Sequence, residues 1–267
     1  MPLRVPAGGL CDWPLATAHW PIFRSSLLAP RSPMPSALVL FSGGQDSTTC
    51  LFWALAPAPL GGGFESVRAL GFDYGQRHAV ELDQARAIAA AAGVGYDVLD
   101  LRGLLGGSAL IGTDGDVSAG HALAPDLPAS FVPGRNALFL SVAAARAFLA
   151  GTGDLVGGMC ETDFSGYPDC RRDFVDAQAR ASSLALGSEV RIHTPLMALS
   201  KAQTWKLARD LGTVCGMDVL ETVREMSHTD YNGDRTERHA WGYGRLDNPA
   251  SILRAQGYAE AHANGWV

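Results

Sequence analysis

The sequence predicts an α/β protein built on a doubly wound parallel sheet. Three observations carry that prediction. Short apolar runs alternate with helix-length stretches along most of the chain, an order that places helices on both faces of one sheet. The first run, Ala37–Phe41 (ALVLF), is apolar throughout, as suits a strand covered on both faces. A glycine bend follows it directly, and sheets of this kind bind ligands beyond the carboxyl ends of their strands.

The elements follow in order. Thr48–Ala56 reads as a helix ended by Pro57. Ser66–Phe72 (SVRALGF) is the second strand, and Ala79–Ala92 a strong Ala-rich helix stopped by Gly93. Tyr96–Leu101 is the third strand, Asn136–Ala150 a further helix and Asp154–Gly157 the start of another strand. Asp173–Leu186 and Lys201–Leu211 are helices, the latter with Ser200 as N-cap. The loops after Phe41, Phe72 and Gly157 are therefore the candidate ligand loops. Residues 1–33, with Pro at 2, 6, 14, 21, 30 and 33, read as a poorly ordered extension, with Met34 as the expected start of translation. From Glu221 onward the chain is more polar and rich in His, Gly and Trp, as a small C-terminal appendage would be.

Composition narrows the function. The 267 residues are 47% hydrophobic and 18% charged, which excludes a disordered chain. A net charge of -6 supplies no overall field for nucleic acid, so the expected partner is a small molecule. No apolar run is long enough to span a membrane. The five Cys are odd in number and form no CxxC pair. That points to neither a disulfide framework nor a thiolate metal cage, and fits a reducing, cytoplasmic setting.

The chemistry begins at Ser42–Ser47 (SGGQDS), between a strand and a helix. Gly43 and Gly44 let the backbone turn sharply and approach an anion closely. Ser42, Ser47 and Thr48 offer hydroxyls, and the helix N-terminus offers free N–H groups and a positive dipole end. Asp46 among these donors would repel a phosphate unless Mg²⁺ bridges them or Asp46 caps the helix. The GK[ST] ending of a Walker loop is absent.

Further polar clusters stand at the ends of apolar runs. FDYGQRH (72–78) offers Asp73, Tyr74, Arg77 and His78. FVPGRN (131–136) offers Arg135, whose fork suits phosphate or carboxylate, and Asn136 as a helix cap. GGMCETDFSGYPDC (157–170) is the richest. There Glu161 and Asp163 can accept hydrogen bonds from a guanine-like edge, and Phe164 or Tyr167 can stack on its face. Cys160 and Cys170 read as buried small apolar residues. HTPLMALSK (193–201) ends on Lys201, a phosphate-binding cation at a helix start.

SGGxDS behind a VxF strand resembles the PP-loop of the ATP pyrophosphatases, which cleave ATP between its first two phosphates and adenylate a substrate oxygen. Taken in order, the five motifs resemble the 7-cyano-7-deazaguanine synthases, ligases of the queuosine pathway, from about Ala37 to Tyr258. The resemblance implies a PP-loop fold with an ATP-binding unit over residues 34–220 and a small region over 221–267. It implies ATP and Mg²⁺, a homodimer, and a reaction that turns 7-carboxy-7-deazaguanine and ammonia into the nitrile through adenylated acid and adenylated amide. Asp46, Lys201 and Arg135 become the catalytic candidates. Phe41, Ser42, Gly43, Gly44, Gln45, Asp46, Ser47, Thr48, Thr49, Cys50 and Leu51 become the ATP-binding stretch. Tyr74, Arg77, Glu161, Asp163, Phe164 and Tyr167 become the substrate-binding set. Two other readings stand beside it: a related ligase passing the activated acid to another amine, and a catalytically silent nucleotide-binding relative.

The tail departs from the pattern. The resemblance implies four Cys holding a structural zinc, yet those positions hold Asp230, Arg245, Asn248 and Ser251. Arg is no zinc ligand at ordinary pH, and Asn and Ser are poor ones. No tetrahedral zinc is expected, and no matching spacing supports a substitute site from His228, Asp230 and His239. Arg245 is expected to pair with Asp230 or Asp247. Trp241, Tyr243, Ile252, Leu253 and Tyr258 are the candidates for packing in place of the metal.

Overall fold

The computed structural model describes residues 35–76, 80–106, 108, 110–111, 120–121, 124–162 and 167–267. The N-terminal extension lies outside them. The elements run β1 (Ser36–Leu40), α1 (Gln45–Leu55), β2 (Ser66–Asp73), α2 (Val80–Ala91), β3 (Gly95–Asp100), β4 (Gly120–His121), β5 (Ala124–Pro128), α3 (Arg135–Leu149), β6 (Asp154–Val156), a 3₁₀ turn (Pro168–Cys170), α4 (Arg172–Leu186), β7 (Arg191–His193), α5 (Lys201–Cys215), α6 (Val219–Met226), β8 (Arg238–His239), β9 (Gly242–Tyr243) and α7 (Pro249–Ala263).

Five strands form one sheet in the order β3-β2-β1-β6-β7, every pair parallel. The predicted doubly wound sheet is therefore present. The chain moves outward from β1 through β2 to β3, then returns to the other side of β1 with β6 and β7. The winding reverses between β1 and β6, and that crevice is where such a sheet accepts a ligand. Successive strand residues face opposite sides. Val39, Phe41 and Ala69 join one apolar core with α1, α2, α5 and α6. Leu38, Leu70 and Leu155 join another with α3 and α4.

Several boundaries differ from the sequence reading, each for a physical reason. The helix α1 begins at Gln45, three residues before the expected Thr48, because Gly44 is its N-cap. The three-residue β7 is too short to carry a periodic signal. The capping box of Ser200 and Gln203 at α5 is present. The polar C-terminal stretch hides two helices with readable starts: Asp218 caps α6, and Asn248 caps α7 with Pro249 as its first residue. The helix α6 crosses residue 221, and Val219, Val223, Trp241 and Ala261 belong to the same core as β1.

Candidate functional site

At the reversal of the sheet lies a cavity of about 810 Å³. Its walls come from the loops after β1, β2 and β6, from the starts of α2 and α3, and from the C-terminal segment.

The floor is the bend after β1. Gly43 has φ +83°, and a Cβ there would stand 2.6 Å from the Glu81 carbonyl oxygen and 2.8 Å from the Ala85 nitrogen. Glycine is required both for the left-handed backbone and for contact with α2. The Ser42 and Ser47 hydroxyls lie 3.1 Å apart, and Ser47 Oγ also accepts from the Ser42 amide. No side chain caps α1, so its first amides keep their donor capacity toward the cavity. Asp46 is not the cap; its carboxylate takes both hydrogen bonds from Lys201 Nζ, at 3.0 and 2.9 Å.

Of the ATP-binding stretch, Phe41, Ser42, Gly44, Gln45, Asp46 and Ser47 line the cavity. Thr48, Thr49, Cys50 and Leu51 do not. All four are buried, and Cys50 and Leu51 belong to the apolar core, because α1 dives under the sheet face after its first turn. Burial pushes the Cys50 thiol well up, with the nearby Asp46 charge adding to it. Gln45 is 3% exposed and neither end of its amide has a partner among the described residues.

The other end of the cavity is aromatic. Phe72 stacks on Phe139 at 4.2 Å, with Tyr74 beside them at 5.4 Å. Tyr167 bonds Ser130 through its hydroxyl at 2.7 Å. Arg135 opens α3 among Tyr74, Tyr167, Tyr231 and Asp169, so it is not a surface cation. Asn136 is not the helix cap. Gly134, with φ +70°, holds that place, and the remote Asp169 carboxylate accepts from the Asn136 amide at 3.0 Å. Cys170 accepts from Asn136 Nδ2, and burial pushes its thiol up to about 12, so it is no thiolate.

Glu161 stands away from the cavity. Its carboxylate accepts from the Arg172 amide at 2.5 Å, at the start of α4, where a helix N-terminus favours an acid. Arg77, Asp163 and Phe164 lie outside the described residues.

Sequence reasoning missed the contribution of the C-terminal segment. The His228 amide donates to the Gly43 carbonyl at 3.0 Å, tying that segment to the bend. Thr229, Tyr231, Ile252, Leu253 and Arg254 line the cavity. Ile252 and Leu253 thus form its wall and do not pack a separate tail core. Arg254 is fully buried between Trp205 and Trp241 and donates to Trp241 O, Ser227 Oγ, Thr229 Oγ1 and Val223 O. Burial lowers its pKa to about 9, while Asp46 pulls it upward. At Gly257 a Cβ would stand 2.5 Å from Lys201 Cγ, so the glycine leaves room for that side chain. Glu81 was also missed. It lines the cavity, and burial pushes its carboxyl up to about 8 against the pull of Arg135.

The four positions expected to hold zinc in relatives do converge, but around a carboxylate. Asp230 is fully buried. Its Oδ2 accepts from the Arg245 amide at 2.8 Å, Asn248 Nδ2 at 2.9 Å and Ser251 Oγ at 3.1 Å. Its Oδ1 accepts from the Asn232 amide at 2.7 Å. The oxygens are engaged by donors, and the surrounding groups are an amide, a hydroxyl and a backbone N–H. This set does not fit a tetrahedral zinc. The Arg245 side chain does not pair with Asp230 or Asp247 as expected; it turns outward to Glu237 and Asp234. The His239 ring stacks on Trp241 at 4.7 Å and His228 faces the Asp230 carbonyl. Among the described residues no group of three metal-ligating side chains forms.

Residues 36–262 match the family described as queuosine biosynthesis protein QueC. The chain is 51% identical over 237 residues to the 7-cyano-7-deazaguanine synthase of Maricaulis maris (strain MCS10), covering 84% of this chain and 92% of that one. It is 48% identical over 237 residues to 7-cyano-7-deazaguanine synthase 1 of Rhodopseudomonas palustris (strain HaA2), covering 84% and 94%. A further 48% identity over 256 residues relates it to the synthase of Bordetella avium (strain 197N), covering 90% and 96%. With its motifs, sheet order and cavity in agreement, the chain belongs to the QueC family of queuosine biosynthesis proteins.

Proposed function

We propose that the protein is an ATP-dependent carbon–nitrogen ligase that converts 7-carboxy-7-deazaguanine and ammonia to 7-cyano-7-deazaguanine. The observation that carries this reading is one cavity with two ends: an anion-binding bend at the sheet reversal, and a wall of Phe72, Tyr74, Phe139 and Tyr167 suited to a flat heterocycle. The names of its relatives point the same way.

Carboxylate and amide oxygens are poor leaving groups, and bonding them to AMP makes them good ones. The carboxylate attacks the α-phosphorus of ATP, pyrophosphate leaves, and ammonia displaces AMP to give the amide. The amide oxygen is adenylated in turn, and loss of AMP leaves the nitrile. No covalent residue is required; the protein positions groups and stabilises charge.

Ser42, Gly43, Gly44, Ser47 and the first amides of α1 hold the pyrophosphate end in this reading. Lys201, released from Asp46, and the buried Arg254 add positive charge there. Asp46 would hold a Mg²⁺ ion, which offsets phosphate charge; its carboxylate at the bend fits that role. Tyr74 and Tyr167 contact the heterocycle and Arg135 its charged or polar edge. Arg77, Asp163 and Phe164 keep their proposed substrate roles on sequence grounds. A cytoplasmic homodimer acting on small molecules belongs to the same reading, supported by the unpaired cysteines and the family resemblance.

The test is incubation of purified protein with 7-carboxy-7-deazaguanine, ammonium and Mg-ATP, followed by mass spectrometry. Nitrile, AMP and pyrophosphate are expected. AMP release only with a different amine, or no AMP at all, refutes the proposal.

A further inference from the structure

The position of Glu81 points to a further catalytic group. We infer that Glu81 is the proton acceptor of the amination step, at the junction between the pyrophosphate bend and the aromatic end of the cavity; the inference rests on the ligase reading above.

The argument starts from what the nitrogen must lose. The ammonia lone pair forms the C–N bond, and the C–O bond to AMP breaks, with AMP leaving as its anion. The attached nitrogen is then positive and must release one proton to become the amide. Forming the nitrile removes the two remaining N–H protons from the same atom. A proton acceptor near the acyl carbon serves each of these steps.

Among the described residues, the other groups lining the cavity that could accept a proton are engaged or unsuited. Asp46 stands on the pyrophosphate bend, paired with Lys201 here, and in the loaded site it would hold Mg²⁺. Cys160 Sγ bonds the Leu199 carbonyl, and burial raises the Cys170, Tyr74 and Tyr231 groups away from ionisation. The His228 ring nitrogen faces the Asp230 carbonyl. Glu81 is different. Its own carbonyl abuts Gly43 of the bend, the residue lines the cavity, and its carboxyl makes no hydrogen bond to a described residue. Arg135, at the aromatic end, acts on it from α3. Tyr74 from the loop after β2, Tyr96 from β3 and Tyr231 from the C-terminal segment also sense its charge. Glu81 thus lies between the Gly43 bend and Arg135 of the aromatic end.

Its chemistry fits that place. An ordinary carboxylate is far too weak a base for an amine nitrogen, because its pKa is near 4. Burial moves Glu81 to about 8, within the range where a base is still partly ionised near neutral pH and accepts a proton readily. The carboxylate takes the proton and passes it to solvent between steps.

The test separates adenylation from amination. Acid-dependent exchange of label between pyrophosphate and ATP reads the first half. Single-turnover formation of the amide with ammonium reads the second. For Glu81→Gln, exchange is expected to persist, while amide formation falls by about 10²–10⁴-fold and loses a rise with pH centred near 8. Glu81→Asp should restore part of the rate and of that pH limb. Wild-type amide formation or an unchanged pH limb in Glu81→Gln overturns the assignment. So does loss of exchange together with amination, which marks a merely structural or binding role. Absence of exchange in the wild-type protein sinks the ligase reading itself, so the two failures are distinguishable.

Discussion

Replacing Asp230 by Ala removes the acceptor shared by Asn232, Arg245, Asn248 and Ser251. Ser251 Oγ is then stranded in a buried pocket and the part-buried Asn232 and Arg245 amides lose their acceptor, while Asn248 Nδ2 keeps the Arg245 carbonyl and the Asp247 carboxylate. Each of the three donors costs about 1–3 kcal/mol, a gross loss of about 3–9 kcal/mol. The change also abolishes a buried charge, whose removal from water costs several kcal/mol, so much of that loss is returned. A net destabilisation of about 3 kcal/mol is expected. In a domain of this size each kcal/mol lowers the melting temperature by about 2–4 °C, so the midpoint should fall by roughly 6–12 °C. Calorimetry of wild type and Asp230→Ala, each with and without a chelator, reads the effect. The chelator should leave the wild-type midpoint unmoved, and metal analysis should find no stoichiometric zinc. A variant melting within 2 °C of wild type, or one zinc per chain, refutes the reasoning.

Two other perturbations follow from the geometry. Gly43→Ala places a Cβ 2.6 Å from the Glu81 carbonyl at φ +83°; it should cost about 2 kcal/mol or more and weaken ATP binding, and wild-type affinity by calorimetry overturns this. Asp154 joins β6 to β7 by bonding Arg191 and His193. Burial alone would raise its pKa, but those hydrogen bonds prevail and lower it from 3.8 to about 2. A depressed folded-state pKa means its stabilisation is full above about pH 4 and vanishes as pH falls through about 2. Asp154→Asn should therefore cost about 1–2 kcal/mol at pH 7, after allowance for solvent screening, and progressively less from pH 4 to pH 2. Denaturant melts showing a constant difference across that range would contradict it.

How much of this was legible in the sequence depends on whether the deciding contacts are local. The strand β1, its bend and the helices α2 to α5 announce themselves through apolar period and caps, and the bend's glycines mark a candidate anion site at a strand end. At positions 230, 245, 248 and 251 the residue types alone read as poor zinc ligands. That Asp230 gathers the other three was not legible, because the gathering works partly through the Arg245 backbone amide and not its side chain. Glu161 looked like a substrate ligand because it stands in a polar cluster; only the packing of α4 shows it serving the Arg172 amide. Glu81 reads as an ordinary first-turn acid of α2, and only the fold puts it on the cavity wall. Asn248–Pro249 was a readable helix start that its place in the zinc frame obscured.

The hydrogen bond from the His228 amide to the Gly43 carbonyl bears on how the molecule comes to life on the ribosome. All five strands of the main sheet have been synthesised by residue 193, yet the bend still lacks His228, Arg254 and the glycine that accommodates Lys201. A chain of that length carries every strand of the sheet, while the contacts that complete the bend wait for the segment ending in α7.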